Sequence, residues 1–233
     1  MFIKVLLDIL YPRQCPFCGN LCGGGICGTC AQKLIYITEP RCKRCGKPVR
    51  YDEQEYCRDC SQHARHFDAG RSLWLHQGEV SSALYRFKYH NQKGDAEIYG
   101  CELAGNFGRL IEKWEIGQII PVPLHTRRRR QRGFNQAEEV ARALGKNVGI
   151  PVSTKVVCRS RDTTPQKELS HKERSHNLHN AFEVSSKEQL NANVLVVDDI
   201  YTTGSTVNEM ARVLKESGVR KVYFLTISIG QGI

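Results

Sequence analysis

The sequence predicts an α/β protein, a parallel sheet with helices on both faces, carried behind a small N-terminal cysteine-rich zinc domain. Three observations predict it. Eight of the 11 cysteines form four Cys-x-x-Cys pairs within the first 60 of 233 residues. Beyond about residue 70 cysteines almost vanish, leaving Cys101 and Cys158, and strand-like apolar runs alternate with helical patterns, the signature of parallel sheets. One apolar run, 194–197, ends in two aspartates, a hydroxyl-rich turn and a helical pattern. The expected division is a zinc-binding part, 1–66, and a sheet-bearing part, 67–233.

The front part follows from its thiols. The pairs are Cys15/Cys18, Cys27/Cys30, Cys42/Cys45 and Cys57/Cys60. Each is a tight turn that aims two thiolates at one ion, and two turns complete a tetrahedral zinc site. Gly19, Gly28 and Gly46 lie in or beside these turns. A disulfide framework would need an oxidising compartment, and the start of the chain does not read as a signal peptide. Residues 1–10 are apolar but short, and Asp8 interrupts them. Iron–sulfur spacings fit four separated turns poorly. One or two zinc ions are expected, with neighbouring or alternate turns paired. Cys22, His63 and His66 are nearby substitutes for a ligand. Gly23, Gly25 and Gly28 spell G-x-G-x-x-G, but no strand precedes them, so a dinucleotide site is rejected.

The back part reads in order. Helices are expected over 79–90 and 96–114, and a short strand over 118–122. A helix follows over 135–145, with Ala137, Val140, Ala141 and Leu144 on one face. Strands are expected over 153–158 and 194–197, a helix over 206–217, and a last strand over 221–228. In such sheets ligands bind outside the carboxyl ends of the strands. Asp198, Asp199 and the loop at 121–125 fall at such ends.

Paired carboxylates accept both hydrogens of a vicinal diol. The backbone amides of a strand-to-helix turn, with the hydroxyls of Thr202, Thr203, Ser205 and Thr206, offer donors to a phosphate. Gly204 lets the backbone come close. Acids followed by such a turn match a ribose 5-phosphate laid across the strand end. A Walker B reading fails for want of a G-x-x-x-x-G-K-[ST] loop. A bare helix cap would explain one residue of this series and leave the others unexplained.

The formal net charge is +10. Residues 120–180 hold 13 Lys or Arg against 5 Asp or Glu, a local excess of 13 − 5 = +8. Such clustering favours polyanionic partners. Arg127, Arg128, Arg129, Arg130 and Arg132 put five guanidinium groups in six positions. They read either as a solvated loop or as a contact for pyrophosphate or a nucleic-acid backbone. Trp74, Phe87, Tyr89 and Phe134 are candidate stacking surfaces for single-stranded bases. No 18-residue apolar run exists, so no membrane span is expected.

Residues 196–206, Val-Val-Asp-Asp-Ile-Tyr-Thr-Thr-Gly-Ser-Thr, resemble the phosphoribosyl-pyrophosphate signature of type I phosphoribosyltransferases. The rest of the chain narrows the resemblance to the ComF (ComFC-like) competence family. The matching pieces are Leu10-Tyr11-Pro12, the four cysteine pairs, Phe87-Lys88-Tyr89, Pro121-Val122-Pro123-Leu124 and Arg132-Gly133-Phe134-Asn135-Gln136-Ala137. Thr164-Pro165-Gln166, Arg174 and Asn177 complete the set.

The resemblance implies a type I phosphoribosyltransferase-like fold and a division of labour. Asp198 and Asp199 would hold the ribose hydroxyls. Thr202, Thr203, Gly204, Ser205 and Thr206 would hold the 5′-phosphate. Val122, Pro123 and Leu124 would face pyrophosphate, with Mg²⁺ bridging it to the diol. The segment 163–174 would cover the site, and Arg174 would join Asp198 and Asp199 as a catalytic group. The implied setting is cytoplasmic. The implied role is DNA uptake in natural transformation, with single-stranded DNA and a competence helicase as partners. Two function classes follow: a transferase with an unidentified acceptor, or a non-catalytic DNA-binding factor that keeps the donor pocket.

Overall fold

The computed structural model describes residues 14–160, 181–185 and 189–230. Its central sheet has four strands in the order β1-β6-β5-β2, namely β1 (Ala69–Leu75), β6 (Lys221–Ile229), β5 (Asn193–Tyr201) and β2 (Gln118–Pro121). All three pairings are parallel. A single parallel bridge from Ile119 to Val152 extends the sheet past β2.

The strands are apolar along their length because both faces are covered, as parallel sheets require. Along β5 the side chains alternate. Leu195 and Val197 enter one core with Leu225 and Ile227 of β6. Val194 and Val196 enter the other with Val222 and Phe224. Helices α3 (Gly78–Tyr89), α4 (Asp95–Lys113) and α6 (Gln136–Val148) fill the first core through Leu84, Phe87, Tyr99, Leu103, Val140 and Leu144. Helix α7 (Ser205–Glu216) covers the second through Val207, Met210, Ala211 and Leu214. Alternation at period 2 in the sheet and about 3.6 in the helices thus places helices on both faces, as expected.

Two expectations change. The stretch 153–158 was expected as a sheet strand. Instead, β3 (Val157–Arg159) pairs antiparallel with β4 (Phe182–Val184) in a separate two-stranded ribbon. Contact with the main sheet comes just before it, where Val152 bridges to Ile119, whose amide donates to the Pro151 carbonyl and whose carbonyl accepts the Ser153 amide. The arginine run is neither loop nor coil but a short helix, α5 (Thr126–Arg132). His125 caps it by accepting the Arg127 amide, and Gly133, at φ 79°, ends it.

The front part is turn-built, with two one-turn helices, α1 (Gly28–Ala31) and α2 (Arg58–Gln62). It lies against both faces of the sheet. Phe17 meets Trp74 edge-on at 5.5 Å, and Tyr36 meets the same ring at 5.4 Å. Cys15 and Cys30 belong to the first core, and Cys42, Cys45, Cys57 and Cys60 to the second. Arg86 of α3 donates to the carbonyl oxygens of Pro16 and Phe17 at 2.9 and 2.7 Å. Among the described residues no helix is long and apolar enough to cross a membrane.

Candidate functional site

The eight paired cysteines gather into two groups, Cys15, Cys18, Cys27 and Cys30, and Cys42, Cys45, Cys57 and Cys60. Within each group the sulfur atoms lie within 4.8 Å of one another. Cys18 and Cys27 are 3.6 Å apart, and Cys45 and Cys57 are 3.5 Å apart. A tetrahedron with zinc–sulfur bonds of about 2.3 Å has edges of about 3.8 Å, so both groups fit one zinc each. Neighbouring turns pair, first with second and third with fourth. Cys22 is outside both groups and its thiol donates to the Gly25 carbonyl. His63 faces the Asp59 carbonyl, and neither it nor His66 joins a group. Four thiolates would leave such an ion no open coordination position, the arrangement of a structural rather than a catalytic zinc.

The second site sits at the carboxyl end of β5. Hydrogen bonding continues through Tyr201, four residues past the expected end at 197, so Asp198 and Asp199 are strand residues with fixed, alternating directions. Both are half-buried. Asp198 accepts the Asp199 amide at 2.9 Å. Asp199 is paired with Lys88 of α3 at 2.9 Å. Burial, and then the Asp199 charge, push the Asp198 carboxyl up to about 7, against the pull of Lys88 and Arg159.

The turn that follows is shaped by Gly204. Its φ of 77° caps α7, and a Cβ there would stand 2.2 Å from the Tyr201 hydroxyl. No other residue type fits that conformation and that space. Thr203 and Ser205 are buried and share a hydroxyl–hydroxyl bond of 2.8 Å, while Thr202 and Thr206 are half-buried. The first turn of α7 carries no acid. Its dipole therefore favours an anion.

On the neighbouring strand, the Val122 amide donates to the Val197 carbonyl at 2.9 Å, and Asn135 donates to the Val122 carbonyl at 3.0 Å. Val122 is buried, and Pro123 and Leu124 are half-buried. These bonds hold the 121–125 loop beside the acidic strand end. From that loop springs α5. Arg129 pairs with Glu138 at 3.2 Å. Arg132 donates to Gln136 at 3.2 Å and lies 5.1 Å over the Tyr89 ring. Arg127 and Arg130 are exposed and Arg128 is half-buried.

Of the four aromatic residues offered for stacking, the structure leaves one. Trp74, Phe87 and Phe134 are core residues, 1%, 0% and 5% exposed, whereas Tyr89 is 47% exposed. Sequence reasoning missed Tyr85. It is exposed and packs 4.9 Å from Tyr89 beside an open cleft of about 380 Å³. The spacing i, i+4 on one helix was the signal for that pair. It also missed Lys88 as a partner of Asp199. Arg174, the expected covering loop at 163–174 and Leu10-Tyr11-Pro12 lie outside the described residues.

Residues 6–61 match the double zinc ribbon domain, and residues 130–228 match the phosphoribosyl transferase domain. Fold and site therefore define a phosphoribosyltransferase-fold protein with an N-terminal double zinc ribbon. The chain is 32% identical to competence protein F of Haemophilus influenzae over 217 residues, 90% of this chain and 93% of that protein. It is 28% identical to competence protein ComFC of Bacillus subtilis over 202 residues, 83% and 79% of the two chains. It is also 28% identical to the DNA utilization protein YhgH of Escherichia coli strain K12 over 209 residues, 85% and 87%. The chain belongs to the ComF family of competence proteins.

Proposed function

We propose that this chain binds phosphoribosyl pyrophosphate with Mg²⁺ at the end of β5 and transfers the phosphoribosyl group to an acceptor during the handling of incoming DNA. One observation carries the reading. A buried strand delivers two half-buried carboxylates and, three residues on, a glycine-shaped turn opening a helix free of acids in its first turn. Asp198 and Asp199 would take the ribose hydroxyls, and the 202–206 turn the 5′-phosphate. The 121–124 loop, held by Asn135, would face pyrophosphate, with Arg174 adding a cation to the leaving charge. Hard carboxylate oxygens suit Mg²⁺, which when bound would neutralise charge on the departing pyrophosphate. Two zinc ions in the four-thiolate groups would hold the part at 1–66 to that at 67–233.

The DNA link comes from the names of the relatives, competence and DNA utilization proteins. A cytoplasmic setting, single-stranded DNA and a competence helicase as partners go with it. Calorimetric titration with phosphoribosyl pyrophosphate and Mg²⁺ tests the reading. Wild type should bind, and Asp198→Ala combined with Asp199→Ala should abolish binding while circular dichroism stays unchanged. Undiminished binding by the double variant would refute it.

A second reading, a DNA-binding factor that keeps the pocket without using it catalytically, is favoured by the arginines of α5 beside exposed Tyr89. Neutralising Arg128, Arg129 and Arg130 to Gln should then weaken single-stranded DNA binding and flatten its salt dependence. An unchanged slope would exclude α5 from the contact.

A further inference from the structure

The geometry points to Lys88 as a ligand of the donor's pyrophosphate, stored on Asp199 until the sugar arrives. This rests on the donor-binding reading above and assigns a new residue to that site. The Lys88 ammonium is 2.9 Å from Asp199 Oδ2, and the two side chains are only 18% and 14% exposed. A mostly covered ion pair survives because each charge answers the other. Asp199, though, is one of the two acids offered to the ribose hydroxyls. When a diol takes its oxygens, the ammonium loses a partner in a place where water supplies little in return.

Its two sequence neighbours fix what lies beside it. The Phe87 ring packs 5.7 Å from Phe134, and Tyr89 lies under Arg132 at 5.1 Å, with its hydroxyl accepting from that guanidinium at 3.4 Å. Residues 132–134 close the segment that begins at the 121–124 loop. Lys88 therefore holds the carboxylate that would receive the sugar, on a helix whose adjacent residues pack against 132–134, the stretch that follows the loop expected to face the leaving group. A pyrophosphate brought in by the same ligand is the anion suited to take the released ammonium. Release from Asp199 and capture by pyrophosphate become one exchange. A sugar phosphate lacking pyrophosphate would force the release without the capture.

Calorimetry separates the two halves of the exchange. Phosphoribosyl pyrophosphate and ribose 5-phosphate, each with Mg²⁺, are titrated into wild type, Lys88→Met and Lys88→Arg, with thermal melts checking the fold. Lys88→Met should bind phosphoribosyl pyrophosphate about tenfold more weakly, the usual scale of one charge-assisted contact. The same variant should bind ribose 5-phosphate as well as wild type or better, because Asp199 is no longer occupied. Lys88→Arg should restore most of the lost affinity. Equal loss for both ligands would make Lys88 a mere tie between α3 and the sheet and would overturn the inference. So would no loss for either. If wild type binds neither ligand, the donor-binding reading itself falls and takes this one with it.

Discussion

Asp95 shows how one buried carboxyl sets a pH dependence. It sits 9% exposed in the first turn of α4, and burial raises it to about 6 against a partial pull from Arg86. Its unfolded value is about 3.9. Between those values the unfolded chain ionises first, so this group destabilises the fold progressively as pH rises from about 4 to about 6 and fully above that. Asp95→Asn should therefore gain up to about 3 kcal/mol at pH 8 and about half of that at pH 5. Urea denaturation at the two pH values checks this, and an equal gain at both would contradict it. The acids of the site were legible as residues because they are consecutive, Asp198, Asp199 and the turn through Thr206. Lys88 was not legible, because its contact with Asp199 spans 111 positions (199 − 88) and only the packing of α3 creates it.

At the scale of elements, α3, α4, α6 and α7 lie within a few residues of the expected helices, since each carries a period near 3.6. Strand β1 gave no such signal. Arg71 and Ser72 break its apolar run, yet Ser72 is buried because its hydroxyl meets that of Thr226 at 2.6 Å. A buried polar pair satisfied across two strands is invisible in either strand alone. The arginine run hid a helix for a related reason. Its own charges repel, but the His125 cap and the Arg129–Glu138 pair stabilise it from outside the run. The cysteine turns revealed their ligands but not their pairing, which the three-dimensional path decides. Two zinc ions per chain should be released when thiol-directed mercurial is titrated into the protein with a chromogenic zinc indicator present. Cys42→Ser should leave one tightly held ion. Release of a single ion from wild type would contradict two closed centres.

Across the whole molecule, the front part behaves as a clamp on the sheet. Each thiol group joins the core on a different face, and Trp74, 1% exposed, is covered by Phe17 and Tyr36 from the front. A large aromatic uncovered by removing that cover loses about 2 kcal/mol of burial or more. Residues 67–233 made alone should aggregate, or melt well below the intact chain. Equal melting temperatures would show that the front part adds nothing to the core. The same clamp reaches the site, because Arg86 grips the first cysteine turn two residues before Lys88 meets Asp199.

The central claim is that the end of β5 and the start of α7 grasp an activated ribose. A crystal of the intact zinc-loaded protein grown with phosphoribosyl pyrophosphate and Mg²⁺ tests it most directly. The account predicts the sugar hydroxyls against Asp198 and Asp199 and the 5′-phosphate on the amides after Gly204. An unaltered Lys88–Asp199 pair over an empty turn, at saturating ligand, would contradict it.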